Sequence, residues 1–519
     1  MLRHGPALLL VFAALAAAGA GAGGCSGRPA RDPVEFRVGI EGTPATLDPR
    51  YAADAHGVRI VPLLFHGLLA RTASGEFRPD LAETWETPDP LTHRFVLRDG
   101  VRFHDGSRLT ARDVAATYRY AMDPAHGCPA AGALAALEAV EAADDRTVVF
   151  RLSRPQVSFP FQLTLGVLPE RLAGLPDLAG EVVGTGPYRL AAFRPGEEVL
   201  LEAFPGHFEA PPALARVRFR IVGNATTRLL EIGSGGLDLL QNAVPPYAVK
   251  FLQREPELSV TATPGASYQY LGYNLEDPVL GDVRVRQALS HAVDRDELIA
   301  YALQGLARPA TGVLPPEHWA HAPDVPSYPY DPARARELLD SAGYPDPDGD
   351  GPAVRFALSY KTSTDKTALE VAQVIAAHLR RVGVGVEVRS FEWGTFFADV
   401  RAGNFQLMSL RWIGLSDPDS LHYLFHSASV PPAGANRGRY RNAQVDAWLD
   451  RSRAEPDPDR RRELYRQVQA QVARDCVYTS LWWLDDVVVL RRGYEGYEAL
   501  PGGEYTSLAR VRPGPGDGS

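Results

Sequence analysis

A chain of 519 residues, 45% hydrophobic and 23% charged, has room for about three domains and is neither disordered nor fibrous. Its net charge of −9 argues against a surface built for nucleic acid. Only three of its 54 basic residues are lysine (Lys250, Lys361 and Lys366), so any lysine near a cleft draws notice.

The N-terminus departs from this ordinary composition. Arg3 and His4 precede an apolar run from Ala7 to Gly24 that is too short and too glycine-rich to span a membrane. Residues 1–24 therefore read as an export signal peptide. The run closes in "AGGC", with small residues ahead of Cys25, similar to a lipobox, in which cleavage exposes a cysteine for lipidation. Ala22 stands where leucine is usual, and ordinary cleavage nearby with Cys25 incidental is the other reading. A lipid on Cys25 would tether a soluble body to a membrane, in the periplasm or on the cell surface. Residues 1–24 carry only Arg3, so the exported part has a net charge of −9 − 1 = −10.

Further on, "THRFVLRDGVRFHDG" alternates apolar and polar residues from Thr92, and Asp99-Gly100 suits a tight hairpin turn. Phe95, Leu97, Val101 and Phe103 share one face. His104-Asp105, which invites a catalytic reading, falls at a strand end, where adjacent side chains point apart and make a poor dyad. Thr110 and Asp113 have capping-box spacing for the helix that follows.

In the second half Asp282, Asp294 and Asp331 are helix N-caps, and Gly343 is a stop. Then come the strand "VRFALSYK", a helix from Lys366 to about Val382, the strand "GVEVRSF", a short helix from Trp393 and the strand "FQLMSLRW". This is β-α-β-α-β, the pattern of a parallel α/β lobe. The turn "DPDGDG" resembles the start of a calcium loop, but Ala357 stands where the loop needs its glutamate. If Cys25 is lipidated, Cys128 and Cys476 remain, and nothing in their spacing argues for a bond between them. No Cys/His cluster is visible, so no metal is expected, and no dinucleotide, phosphate-loop, serine-nucleophile or zinc-protease motif occurs. No residue qualifies as a catalytic nucleophile or base, and no cofactor is expected.

The segments "TLDP", "LLFHGLL", "PDLAETWE", "FHDGSRLTARDV", "GTGPYRL", "YLGYN", "VRVRQALSHAVDRDELI" and "YDPARARELLDSAGY" follow one another in order. Together they resemble family 5 solute-binding proteins of ABC transporters, which include oligopeptide-, dipeptide- and nickel-binding receptors. The resemblance implies an α/β fold of the periplasmic-binding-protein-like kind (type II, cluster C), two-lobed with an extra domain. One lobe would take residues 34–48, 184–272 and 480–512, the extra domain 49–183 and the opposing lobe 273–479, with crossings near Asn274 and Trp482. It implies a monomeric, non-enzymatic receptor for a peptide or peptide-like solute, working with ABC permease subunits. A sensor of the same fold, coupled to a signalling partner, is the alternative.

By position within the matching motifs, Trp393 and Trp412 would line the cleft from one lobe, with Tyr268 and Thr43 from the other. For any one aromatic, core packing competes with ligand contact. Peptide receptors of the family pair a Trp-x-x-Asp aspartate with the ligand's ammonium. Here "WIGLSDPD" places Leu415 there, with Asp417 two residues later as a substitute. Lys361 lies near where dipeptide receptors hold the ligand carboxylate, unless it is only an exposed strand end. An anionic or amine-blocked solute is the expectation.

Overall fold

A computed structural model describes residues 35–72, 76–178, 180–349, 351–413, 415, 417–500 and 502–514. Cys25 and the expected signal peptide lie outside these residues.

Most strands join one 11-stranded sheet. Its order runs Val384–Phe391, Phe356–Ser363, Leu407–Trp412, Leu258–Tyr273, Tyr478–Arg491, Leu239–Gln241, Glu35–Ile40, Arg216–Ile221, Glu198–Ala203 and Tyr188–Arg194, with Ala307–Pro309 pairing on Tyr478–Arg491. At one end the Phe356–Ser363 strand is parallel to both neighbours. The helices Lys366–Arg380 and Trp393–Ala402 make the crossovers, so the β-α-β-α-β reading describes this end of the sheet. The side chains of Asp282, Asp294 and Asp331 cap their helices, and Gly343 takes φ 92 after the last.

Two strands carry the sheet from one half of the molecule to the other. Leu258–Thr263 pairs with Asp486–Arg491, and after a register shift Ser267–Gly272 pairs with Tyr478–Leu484. Gly265 lies in this shift. A Cβ there would stand 2.4 Å from the Leu484 carbonyl oxygen and 3.0 Å from Asp486 Oδ2. Only glycine lets the two backbones approach so closely. The hydrophobic cores change at the same place. Leu258 and Val260 pack with Ile232, Leu240 and Val489, whereas Tyr268 and Tyr270 pack with Met408, Tyr478 and Trp483. The cores thus change between Val260 and Tyr268 on one strand and near Asp486 on the other.

A separate four-stranded antiparallel sheet is built from Ala82–Asp89, Thr92–Leu97, Thr147–Leu152 and Leu137–Ala142. The helix Ala111–Met122 covers it, opened by the expected capping box of Thr110 and Asp113. Phe95, Leu97, Val101 and Phe103 all enter its core. The expected hairpin is incomplete: after Asp99-Gly100 only an isolated Arg102–Arg108 bridge forms, because Thr92–Leu97 already has a partner on each side. Cys128 and Cys476 are buried free thiols.

His104 is more than a turn residue. Its backbone N–H donates to Gly184 O, its Nδ1 accepts from Gly184 N–H at 3.2 Å, and its Nε2–H donates to Gly186 O at 3.0 Å. It pins "GTGPY", where a Cβ on Gly184 or Gly186 would come within 2.1 or 2.4 Å of the carbonyl oxygens of Leu64 and Leu63. Asp105 points elsewhere, to Ser107 N and Arg171, so the pair forms no dyad.

Candidate ligand-binding cleft

The strands Leu258–Tyr273 and Leu407–Trp412 run antiparallel, with Tyr268 opposite Trp412, Gln269 opposite Arg411 and Tyr270 opposite Leu410. Alternation along a strand sorts these residues by face. Tyr268, Tyr270, Leu410 and Trp412 turn to the aromatic core, and Gln269 and Arg411 turn away from it. Tyr268 is 1% exposed and shares a 2.7 Å hydrogen bond with Ser480 Oγ. Trp412 stacks on Tyr270 at 6.5 Å, and the Arg437 guanidinium lies 4.4 Å from its ring centroid. The expected cleft aromatics Tyr268 and Trp412 therefore pack on the core side of the sheet, and Tyr268 sits in the same core as Trp412 instead of facing it from the opposite lobe. Their polar neighbours one residue away take the open side.

Lys361 already has a partner. Its ammonium lies 2.6 Å from Asp399 Oδ2 and over the Phe391 ring at 5.3 Å. Thr43 Oγ1 accepts from Gly196 N–H at 3.0 Å and so fastens the turn between two strands. Trp393, 55% exposed, opens the Trp393–Ala402 helix and stacks on Phe397 at 5.6 Å.

Arg411 has the character sought in Lys361. It is exposed; its Nε donates to Gln269 Oε1 at 3.4 Å, and it makes no ion pair among the described residues. Yet desolvation pushes its proton affinity below the ordinary arginine range, with Arg59 pushing the same way and Glu41 and Asp365 opposing. Arg411 is thus exposed and yet crowded by protein, with charges of other segments around it. Glu41 and Arg59 belong to the N-terminal half and Asp365 and Arg411 to the C-terminal half, so the charges meet across the two lobes. Glu41 is partly occupied by Arg228 at 3.2 Å, and Asp365 caps its helix through Ala368 N–H at 2.8 Å.

A second group of charges adjoins the four-stranded domain. Burial lowers the proton affinity of Arg71, while Glu504 and Asp417 support its charge. Asp417 is pushed up to about 8, first by burial and then by the neighbouring Asp419, with Arg461 and Arg71 opposing. Its Oδ1 accepts from Asp419 N–H at 2.9 Å. Burial and the Asp419 carboxylate thus disfavour the charged form of Asp417. Asp419 instead holds Arg453 through two contacts of 2.8 and 3.0 Å and accepts from Ser158 Oγ at 3.2 Å. Val157 N–H also donates to Arg453 O at 2.8 Å, so the four-stranded domain touches the C-terminal lobe directly.

The expectation of no histidine cluster needs correction. His422 and His426, a helical turn apart, converge with Asp450 of the helix Ala443–Ala454. The linear sequence hides this, because the aspartate comes from a different helix.

Two lobes joined by crossing strands, with mixed charges meeting between them, define a class of binding protein that closes on a solute. Residues 76–431 match the family described as "Bacterial extracellular solute-binding proteins, family 5 Middle", and the chain belongs to that family. It is 31% identical over 492 residues to Protein XP55 of Streptomyces lividans, covering 92% of this chain and 88% of that one. It is 26% identical over 485 residues to the oligopeptide-binding protein AppA of Bacillus subtilis, covering 89% of each. The structure of the Bacillus subtilis AppA in complex with a nonapeptide superposes with a TM-score of 0.83 at 24% identity, over 92% of this chain and 99% of that one. Among the described residues no helix is long and apolar enough to cross a membrane.

Proposed function

We propose that this protein captures a small, anionic, peptide-like solute without a free α-amine and delivers it to the permease of an ABC importer. It acts by binding and release, without catalysis, as a monomer held at the membrane by a lipid on Cys25. The observation that carries the ligand class is Arg411, a cleft cation with no ion pair among the described residues. It takes the place first considered for Lys361, which Asp399 already neutralises. On the cationic side of a peptide, Leu415 offers no counter-charge, and burial with the Asp419 carboxylate disfavours a charged Asp417. A buried ammonium left unpaired there costs several kcal/mol, roughly enough to remove a peptide's affinity.

Calorimetry with free and N-acetylated di- to pentapeptides, on wild type and Leu415→Asp, tests this reading. Acetylated peptides should bind the wild type, and Leu415→Asp should shift preference toward free amines. Tight binding of free peptides by the wild type, abolished by acetylation, would overturn it. Mass spectrometry of the mature N-terminus should show a diacylglyceryl cysteine at Cys25.

A further inference from the structure

We propose that His422, His426 and Asp450 form a binding site for a divalent transition-metal ion of the zinc kind, on the C-terminal lobe outside the solute cleft. His422 lies in the helix Ser420–Phe425 and His426 at its C-cap, while Asp446 and Asp450 are one turn apart in the helix Ala443–Ala454. Residues four apart on a helix share a face. Two histidines thus face two aspartates across a helix pair.

The spacing is what points to an ion. His422 Nε2 is 3.5 Å and His426 Nε2 3.6 Å from Asp450 Oδ1, and His426 Nε2 is 3.9 Å from Asp446 Oδ1. The donor atoms of His422, His426 and Asp450 all lie within 4.8 Å of one another. These separations are too long for good hydrogen bonds. Metal–ligand bonds of about 2.0–2.2 Å place neighbouring ligand atoms of a tetrahedron roughly 3.3–3.6 Å apart, which the two contacts to Asp450 match. The imidazole rings stack at 4.2 Å with 12° between planes, so both Nε2 atoms reach toward the same carboxylate. His426 Nε2 is buried with no hydrogen-bond partner, an uncompensated cost unless something else satisfies it.

Coordination exacts a small change at His426. Arg453, on the same helix as Asp450, is held by Asp419, which limits its repulsion of a cation. His426 Nδ1 accepts from Ala428 N–H at 3.0 Å, so coordination at Nε2 moves the ring proton to Nδ1 and releases that amide. Ala428 is exposed, and water can take the amide over. Asp446 Oδ1, meanwhile, keeps its bond from Ser427 N–H at 2.9 Å. Imidazole plus carboxylate suits Zn²⁺ and its neighbours in the series, not Mg²⁺ or Ca²⁺. Asp450 is exposed and leaves a route in from solvent. An ion here would fasten the helix that follows Asp417 and Asp419 to the helix that carries Arg453.

The test is titration of the full mature chain, stripped with chelator, with Zn²⁺ in a calorimeter. One Zn²⁺ per chain should bind. His422→Gln and Asp450→Asn should each weaken it by more than about tenfold, the loss that even an outer-shell partner brings. His207→Gln should leave it unchanged, since that residue belongs to a separate pair with His66 (Nε2 atoms 3.1 Å apart). Excess Ca²⁺ should not compete. Absence of saturable Zn²⁺ binding, or wild-type affinity in either His422→Gln or Asp450→Asn, would overturn the proposal.

Discussion

Arg411 donates from Nε to Gln269 Oε1 at 3.4 Å across two antiparallel strands, on the face opposite Tyr268 and Trp412. The pair stands where the sheet passes from one lobe to the other, so whatever it holds feels both. Arg411→Gln should leave folding stability within about 0.5 kcal/mol, as for most exposed positions. A hydrogen bond to a charged group contributes about 1.5–3 kcal/mol. At about 1.4 kcal/mol per tenfold, binding of an N-acetylated peptide acid should weaken roughly ten- to a hundredfold. Calorimetry against the matching C-terminal amide checks it: the acid–amide difference should vanish in the variant.

Gly265→Ala should destabilise the protein by about 1–3 kcal/mol, the usual cost of forcing a methyl into filled space. The obstruction is the Leu484 backbone carbonyl, 2.4 Å from the new Cβ, which cannot swing aside as a side-chain tip could. Thermal unfolding followed by circular dichroism reads the loss. Unchanged melting would mean that the crossing strands part easily here.

The parallel lobe and its capped helices were legible because their signals are local: a caging aspartate, a glycine stop, a period of two or 3.6 residues. The cleft was not, for a reason visible in Arg411 and Trp412. The two are adjacent, and on a strand a one-residue difference reverses the face. A motif position identifies the segment that reaches the cleft without saying which of its neighbours points inward. Lys361 shows a different limit: its partner Asp399 lies on another element. The partners of His422, His426 and His104 are likewise set by tertiary contacts, so spacing along the chain could not reveal them.

Asp417 makes a pH prediction. Its pKa is raised to about 8 in the folded chain, against about 3.9 for an unperturbed aspartate. Between those values the folded state binds more protons than the unfolded one, so this group lowers stability as pH rises from about 4 to 8. Asp417→Asn removes that contribution. Relative to wild type its melting temperature should gain most at pH 8 and least at pH 5, by calorimetry at fixed ionic strength. A constant offset across that range would contradict the assignment.

Asp419 couples the four-stranded domain to the C-terminal lobe. Asp419→Ala strips Arg453 of its bidentate partner and Ser158 of its acceptor. Removing one member of a largely buried ion pair costs about 3–5 kcal/mol. The loss should fall on the contact between domains, including the Val157–Arg453 backbone bond, and the average shape should become more open. Small-angle scattering should show a larger radius of gyration for Asp419→Ala than for wild type. Equal radii would show that other contacts hold the lobes together.

His104 should govern part of the acid response. Its pKa is pushed down to about 4, chiefly by burial, with His66, Arg189 and His207 adding and the bond to Gly186 opposing. An unfolded histidine titrates near about 6.5. Between those values the unfolded state binds more protons, so stability falls as pH drops from about 6.5 to 4. Protonation would put a second N–H at Nδ1, against the Gly184 N–H it now accepts from. His422, pushed down to about 3, acts in the same direction, so His104→Gln should reduce the acid slope without abolishing it. The variant should also melt lower at pH 7, because one of the bonds that pin Gly184 and Gly186 is lost or lengthened, while solute affinity stays unchanged. Melting temperatures of wild type and His104→Gln from pH 4 to 7 should converge toward the acid end. Parallel curves would place the acid sensitivity elsewhere.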